Sequence, residues 1–221
     1  MGHYDTFDPT PYRTHRQTLG RVNPGERVLE VGCSSGALSE KLQAKGCSVV
    51  GIESRLEAAV KARGFCEDVL VGDVERMPLP LPAASFDTIL LLDVLEHLVD
   101  PPAATRRLLP FLRPGGRFII ALPNIAHWSV RFQLLVGRFE YGDSGILDRT
   151  HLHFYTHSSA LEMLRRCGLE VTEWDIAPDV PLLRFKRRLE GANYRVARLL
   201  PGLLSTELLF VARPTGPAAS P

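Results

Sequence analysis

The residues best placed to do chemistry stand just beyond short apolar runs. One such run leads into Glu30-Val31-Gly32-Cys33-Ser34-Ser35-Gly36, and a helical pattern follows. The glycines let the backbone turn tightly and bring its amide groups close to a ligand. Glu53 ends the second run, 21 residues after Gly32, with Ser54 behind it. A carboxylate there can accept both hydrogen bonds of a ribose diol. Asp73, in Val71-Gly72-Asp73-Val74, is short enough to meet an adenine amino group. Three such elements at the carboxyl edges of consecutive strands describe one crevice. A nicotinamide dinucleotide would require G-x-G-x-x-G, whereas these glycines are spaced G-x-x-x-G and no third follows.

A second group lies between 123 and 157, a stretch that fits neither the helical nor the strand period and is rich in aromatics and histidines. Long irregular insertions in compact α/β domains tend to carry function. His127, His151, His153 and His157 are its neutral-pH bases, His151 first in order and His127 second. Asp148 with Arg149 can position a hydroxyl or carboxylate, and Trp128, Tyr141 and Tyr155 can wall a pocket. Arg131 reads as an ion-pair partner ahead of a carboxylate clamp. Trp128, Val130, Leu134 and Leu135, at near-helical spacing, read as packing ahead of substrate contact. His151-Leu152-His153 puts two imidazoles on one strand face, but no cysteine or clear carboxylate completes a set, so no metal is expected.

The elements that must hold these groups alternate. Strands are expected at Arg27–Val31, Ser48–Ile52, Asp68–Val71, Thr88–Leu92 and Arg117–Ala121, and again at Leu169–Ile176 and Ser205–Val211. Helices are expected at Ala37–Lys45, Leu56–Arg63, Ala103–Leu112 (bent or cut short by Pro110) and Ser158–Cys167, the last with Ser159 and Glu162 at capping-box spacing. Alternation of this kind argues for right-handed βαβ units and a parallel sheet. Residues 1–20 read as an arm or helix, 21–212 as one domain, and 213–221 as a disordered tail.

The chain has 221 residues, 45% hydrophobic and 23% charged, enough for one well-filled core. Its net charge of +1 gives no electrostatic case for nucleic acid. The basic stretch 182–200 reads first as a helix covering the sheet, and second as a contact for RNA, membrane or an acidic partner. No apolar run approaches the roughly 20 residues of a membrane span, and the four cysteines form no CxxC pair. A cytoplasmic protein is the default, with a homodimer left open.

Taken together, VLEVGCSSG, GIES, GDVERMPLP, SFDTILLLDVLEHL and LRPGGRFIIALPN, with TELLFVA near the end, resemble the motif series of class I S-adenosylmethionine-dependent methyltransferases, over roughly residues 25–125. Ser34 departs from it, standing where the family usually has a second glycine. The segments PNIAHWSVR, LLVGRFEY and LDRTHLHFYT are similar to the cap of a small-molecule subgroup. The resemblance implies a doubly wound, Rossmann-like, seven-stranded, mostly parallel sheet with an antiparallel last strand and a cap after strand five. It implies S-adenosylmethionine as cofactor: Glu30, Gly32, Cys33, Ser34 and Gly36 at the methionine portion, Glu53 and Ser54 at the ribose, Asp73 and Val74 at the adenine. Leu92 and Asp93 would floor the sulfonium, and His97 would pack the cofactor's edge. The implied acceptor is a small molecule, first an oxygen of a sugar, polyketide-like or quinone-like compound. An N-methyltransferase, an RNA enzyme and a non-catalytic cofactor-binding subunit remain as alternatives.

Overall fold

The computed structural model describes residues 6–181, 183 and 187–216. Seven strands, β1 (Arg27–Val31), β2 (Ser48–Glu53), β3 (Asp68–Val71), β4 (Phe86–Leu92), β5 (Leu112–Pro123), β6 (Leu169–Pro178) and β7 (Ser205–Pro214), form one sheet of order β3-β2-β1-β4-β5-β7-β6. β1 and β4 are buried almost end to end, which is what strands covered on both faces require. β1 to β5 pair in parallel, and β7 enters antiparallel between β5 and β6. Because the strand order turns back between β1 and β4, their carboxyl ends bound the crevice where open α/β sheets bind ligands.

The helices are α1 (Thr14–Arg21), α2 (Ala37–Ala44), α3 (Leu56–Ala62), α4 (Pro101–Leu108), α5 (Trp128–Leu135), α6 (His157–Arg166), α7 (Glu190–Leu199) and α8 (Pro201–Leu204). Alternate residues of each strand feed opposite layers. Leu29, Ile89, Phe118, Ile120 and Phe210 join the Leu164 face of α6. Val28, Leu90, Ile119 and Leu209 join Leu38 and Leu42 of α2, with Leu19 and Phe7 against them.

Several boundaries differ from the sequence expectation. α4 starts two residues early, because Asp100 accepts the Ala103 N–H at 2.9 Å and Pro101 suits a first turn. It stops at Leu108, with Pro110 inside a short 3-10 turn, the early ending that proline imposes. α6 is capped by Thr156, not by a Ser159–Glu162 box: the Thr156 hydroxyl accepts from Ser159 N–H, Thr156 N–H donates to Ser159 Oγ, and Glu162 pairs with Arg165 at 2.7 Å. In the insertion, α5 buries Val130 but leaves Leu134 and Leu135 at 53% and 82% exposure, so near-helical spacing located a helix but not its inner face. β7 runs to Pro214, two residues past the expected end of the domain. Of the basic stretch, residues 182 and 184–186 lie outside the described residues, as do 1–5 and 217–221. The remainder includes α7, which buries Asn193 and Ala197, while Arg198 stacks over Trp174 and pairs with Asp175.

Candidate active site

β1 ends in a loop whose shape only small residues permit. Gly32 and Gly36 have φ of 72° and 83°. A Cβ on Gly32 would lie 2.7 Å from Val94 Cγ2, and one on Gly36 2.9 Å from Ala62 Cα. Ser34 adopts the same left-handed region at φ 48°, which costs a side-chain-bearing residue roughly 1–2 kcal/mol. Two bonds hold it: its N–H donates to Glu53 Oε2 at 2.8 Å, and its hydroxyl accepts from Arg55 Nη2 at 2.8 Å. Serine thus keeps the glycine conformation. Cys33 turns its buried thiol under the loop toward Gly51, leaving only its backbone to face a ligand. The hydrogen-bonded neighbour Cys66 and burial push that thiol far up, so it is no nucleophile.

Glu53 is buried at the end of β2, and its other oxygen accepts Arg55 N–H at 2.9 Å. Ser54 lies beside it, its hydroxyl 3.5 Å from Oε1. Asp73 is exposed past β3, where it accepts its own turn's Glu75 N–H, while Val74 packs into the core.

Glu30 points beneath the loop and accepts the Ser39 hydroxyl at 2.6 Å. Burial pushes its carboxyl up to about 8. In the unfolded chain the group ionises near 4.5, so between those values the folded state holds the extra proton and stability falls as pH rises. Glu30→Gln is expected to remove that slope, about 1.4 kcal/mol per pH unit at its steepest. Urea midpoints of both proteins across this range check it: a wild-type minus variant difference that stays flat with pH would refute it.

Beyond the carboxyl ends of β4 and β5 opens a chamber of about 650 Å³. Asp93, at the end of β4, is on its floor with φ 52° and one carboxylate oxygen without a hydrogen-bond partner among the described residues. Burial, then the neighbouring Glu207, raises its pKa well above the usual carboxylate range. The wall carries His127, Ser129 and Asp179. His127 Nδ1 lies 2.8 Å from Ser129 Oγ, and Nε2 lies 3.3 Å from Asp179 Oδ2. Trp128 donates its indole N–H to the Asp179 carbonyl at 3.0 Å. Phe7 and His15 form the roof, held down where Thr14 bonds Glu207 and Gln17 donates to the Ile176 carbonyl at 2.7 Å.

The other expected site residues are spread around this chamber, not gathered in it. His151, first in the sequence ranking of bases, is buried outside that lining: Nδ1 faces the Ile146 carbonyl at 3.1 Å and Nε2 lies 3.9 Å from Glu96 Oε1. Burial and then His97 lower its pKa, while burial and Asp93 raise that of Glu96. Asp148 spends one oxygen on Thr150, accepting its N–H and hydroxyl, and these bonds outweigh burial to hold its pKa low. His97 turns Nδ1 toward Thr150. His153 Nε2 is 3.4 Å from the Val99 carbonyl, Tyr155 is buried in the core, and Tyr141 is exposed, edge-on to Phe139. Arg131 donates to the Ala126 carbonyl of its own helix start at 2.6 Å, so the carboxylate it was expected to pair with is replaced by backbone. Ser129, Asp179 and Glu207 were not anticipated.

A sequence model described as a methyltransferase domain matches residues 4–173. A ubiquinone biosynthesis O-methyltransferase of Xanthomonas euvesicatoria pv. vesicatoria is 32% identical over 157 residues, 67% of this chain and 64% of the relative. The chain thus spans a little under two thirds of that relative's length. Among solved structures, an S-adenosylmethionine-dependent methyltransferase from Archaeoglobus fulgidus superposes with a TM-score of 0.64 at 15% identity, over 90% of this chain and 94% of that one. The [4+2]-cyclase SpnF superposes with a TM-score of 0.62 at 20% identity, over 93% and 81%. At such identities the likeness is one of fold.

Proposed function

This chain belongs to the methyltransferase-domain family, and from that membership we propose that it transfers a methyl group from S-adenosylmethionine to a hydroxyl oxygen of a small, quinone-like acceptor. The observation that carries the reading is His127, set between Ser129 and Asp179 on the chamber wall.

The residues fit the cofactor. Gly32 and Gly36, whose left-handed turns pack against Val94 and Ala62, carry no side chain between the loop's backbone and a ligand. Glu53 keeps lone pairs for two ribose hydroxyls while holding the Ser34 and Arg55 amides. Asp73 and Val74 flank the adenine, Leu92 and Asp93 the reacting end, and His97 the edge beside them. When bound, the cofactor supplies an electrophilic methyl carbon on a cationic sulfur. Asp93, which burial and Glu207 keep toward its protonated form, would be drawn back toward the carboxylate by a cation bound above it.

An acceptor hydroxyl attacks best while losing its proton. The Asp179 carboxylate, 3.3 Å from His127 Nε2, favours the tautomer with the proton on that nitrogen, which turns the Nδ1 lone pair toward Ser129. The acceptor proton passes through the Ser129 hydroxyl to Nδ1, and Asp179 stabilises the imidazolium that forms. The roof of Phe7 and His15 suits a small acceptor, and the pairing of Arg198 with Asp175 spends one of the cations an RNA contact would need. Among the described residues no helix is long and apolar enough to cross a membrane.

Incubation with S-adenosylmethionine and, separately, an alkyl catechol, a hexose and an arylamine tests this. S-adenosylhomocysteine is expected with the catechol alone. Turnover of the arylamine alone, or of none of the three by protein that binds the cofactor, would overturn the oxygen assignment.

A further inference from the structure

Where the insertion meets the turn after β4, three potential ligands converge. Glu96 and His97 come from that turn and His151 from the insertion, and one donor atom of each lies within 4.8 Å of the others. Glu96 is 0% exposed, and neither of its carboxylate oxygens has a hydrogen-bond partner among the described residues. His151 Nε2 is buried and equally unpartnered there. A buried carboxylate and imidazole left without partners cost several kcal/mol unless something fills the gap between them.

The tautomers show what would fill it. His151 Nδ1 faces the Ile146 carbonyl, so it carries the proton and Nε2 presents a lone pair. His97 Nδ1 faces the Thr150 carbonyl at 3.3 Å and the Thr150 hydroxyl at 3.1 Å, and that hydroxyl already donates to Asp148. Its Nδ1 therefore carries the proton too, leaving Nε2 as the free donor atom. Each imidazole is thus oriented by a backbone carbonyl, the arrangement that supports histidine on a metal.

Distance separates a proton from a larger cation. His151 Nε2 and Glu96 Oε1 are 3.9 Å apart, too far to share a hydrogen bond. Two bonds of about 2.0–2.1 Å to one ion span that gap. Drawing the set into a tetrahedral shell, with ligand atoms about 3.3 Å apart, takes movements of about 1.5 Å at most. One carboxylate with two imidazoles favours a borderline transition cation such as Zn²⁺ over Mg²⁺ or Ca²⁺, which prefer all-oxygen shells.

We propose that Glu96, His97 and His151 bind one divalent transition-metal cation that clasps the insertion to the carboxyl edge of β4. The clasp reinforces a join already made by Leu152 and His153, whose N–H groups donate to the Glu96 carbonyl at 2.8 and 3.1 Å. It lies behind the chamber wall, where Ile146 lines the cavity on one side and holds His151 by its carbonyl on the other. This inference is independent of the methyl-transfer reading.

The full chain, stripped with a chelator and shown still folded by circular dichroism, is titrated with Zn²⁺ by calorimetry and with Co²⁺ by visible absorption. One ion per chain at micromolar affinity or tighter is expected, with the absorption of a low-symmetry Co²⁺ site (~−8 kcal/mol or better). Glu96→Gln, His97→Gln and His151→Asn should each weaken uptake by roughly tenfold or more. Hydrogen exchange of residues 142–153 should slow on loading. His97 is only half-buried, so its variant tests the site even where a buried substitution fails to fold. No uptake up to about 1 mM Zn²⁺, or uptake indifferent to the His97 variant, overturns the proposal.

Discussion

His127→Asn is expected to lower kcat by roughly 10²- to 10⁴-fold, with cofactor affinity held within about twofold. Asparagine places its amide where Nδ1 stands and can still bond Ser129, but it cannot take a proton. That choice matters because His127 is 1% exposed, and alanine would leave a buried cavity in the chamber wall. Asp179→Asn should lower kcat by roughly tenfold or more, since the imidazolium would lose its counter-charge. Single-turnover kinetics with saturating cofactor separate the chemical step from binding. An unchanged rate in His127→Asn would mean that transfer needs only proximity, and Ser129→Ala would then be silent as well.

Glu53→Ala should weaken S-adenosylmethionine and S-adenosylhomocysteine binding by roughly 10²- to 10⁴-fold. The estimate is two charge-assisted hydrogen bonds at about 1.5–3 kcal/mol each. Part of that loss comes through the loop, because Glu53 also holds the Ser34 amide in its left-handed turn. Glu53→Gln separates the contributions: its carbonyl can still accept from Ser34, so its affinity should fall between the other two. Calorimetry on the three proteins reads the order directly. Equal affinities would overturn both the ribose role of Glu53 and its contribution through the loop.

The strands and the glycine turn were legible because they are local. A run such as RVLEV is buried on both faces whatever follows it, and Gly32 and Gly36 are needed where β1 turns. The wall of the chamber was not legible. Asp179 stands 52 positions from His127 and Glu207 stands 114 from Asp93, and no spacing rule joins them. Only the entry of β7 between β5 and β6 does so. His151 stands first among the bases by sequence, and nothing local marks it as buried. Instead Thr150 consumes Asp148, and the turn rolls the imidazole inward toward Glu96. Glu96 also supplies the carboxylate that the histidine spacing lacked, from a segment 55 residues earlier. That SpnF, a cyclase, shares the fold shows why these side-chain meetings carry the chemistry, not the sheet.

The position of β7 also sets a timetable. During synthesis β1 to β5 can pair in the order they are made, and the cofactor loop can form with them. The edge of β5 then stays open, its ladder groups exposed, until the last strand arrives. Glu207 is on that strand, and it is what Thr14 of α1 bonds. The arm over the chamber, made first, is fastened last. A nascent chain therefore carries its cofactor cradle long before it owns a reaction chamber, and closing the sheet waits on its most distant pairing, the slow kind of contact.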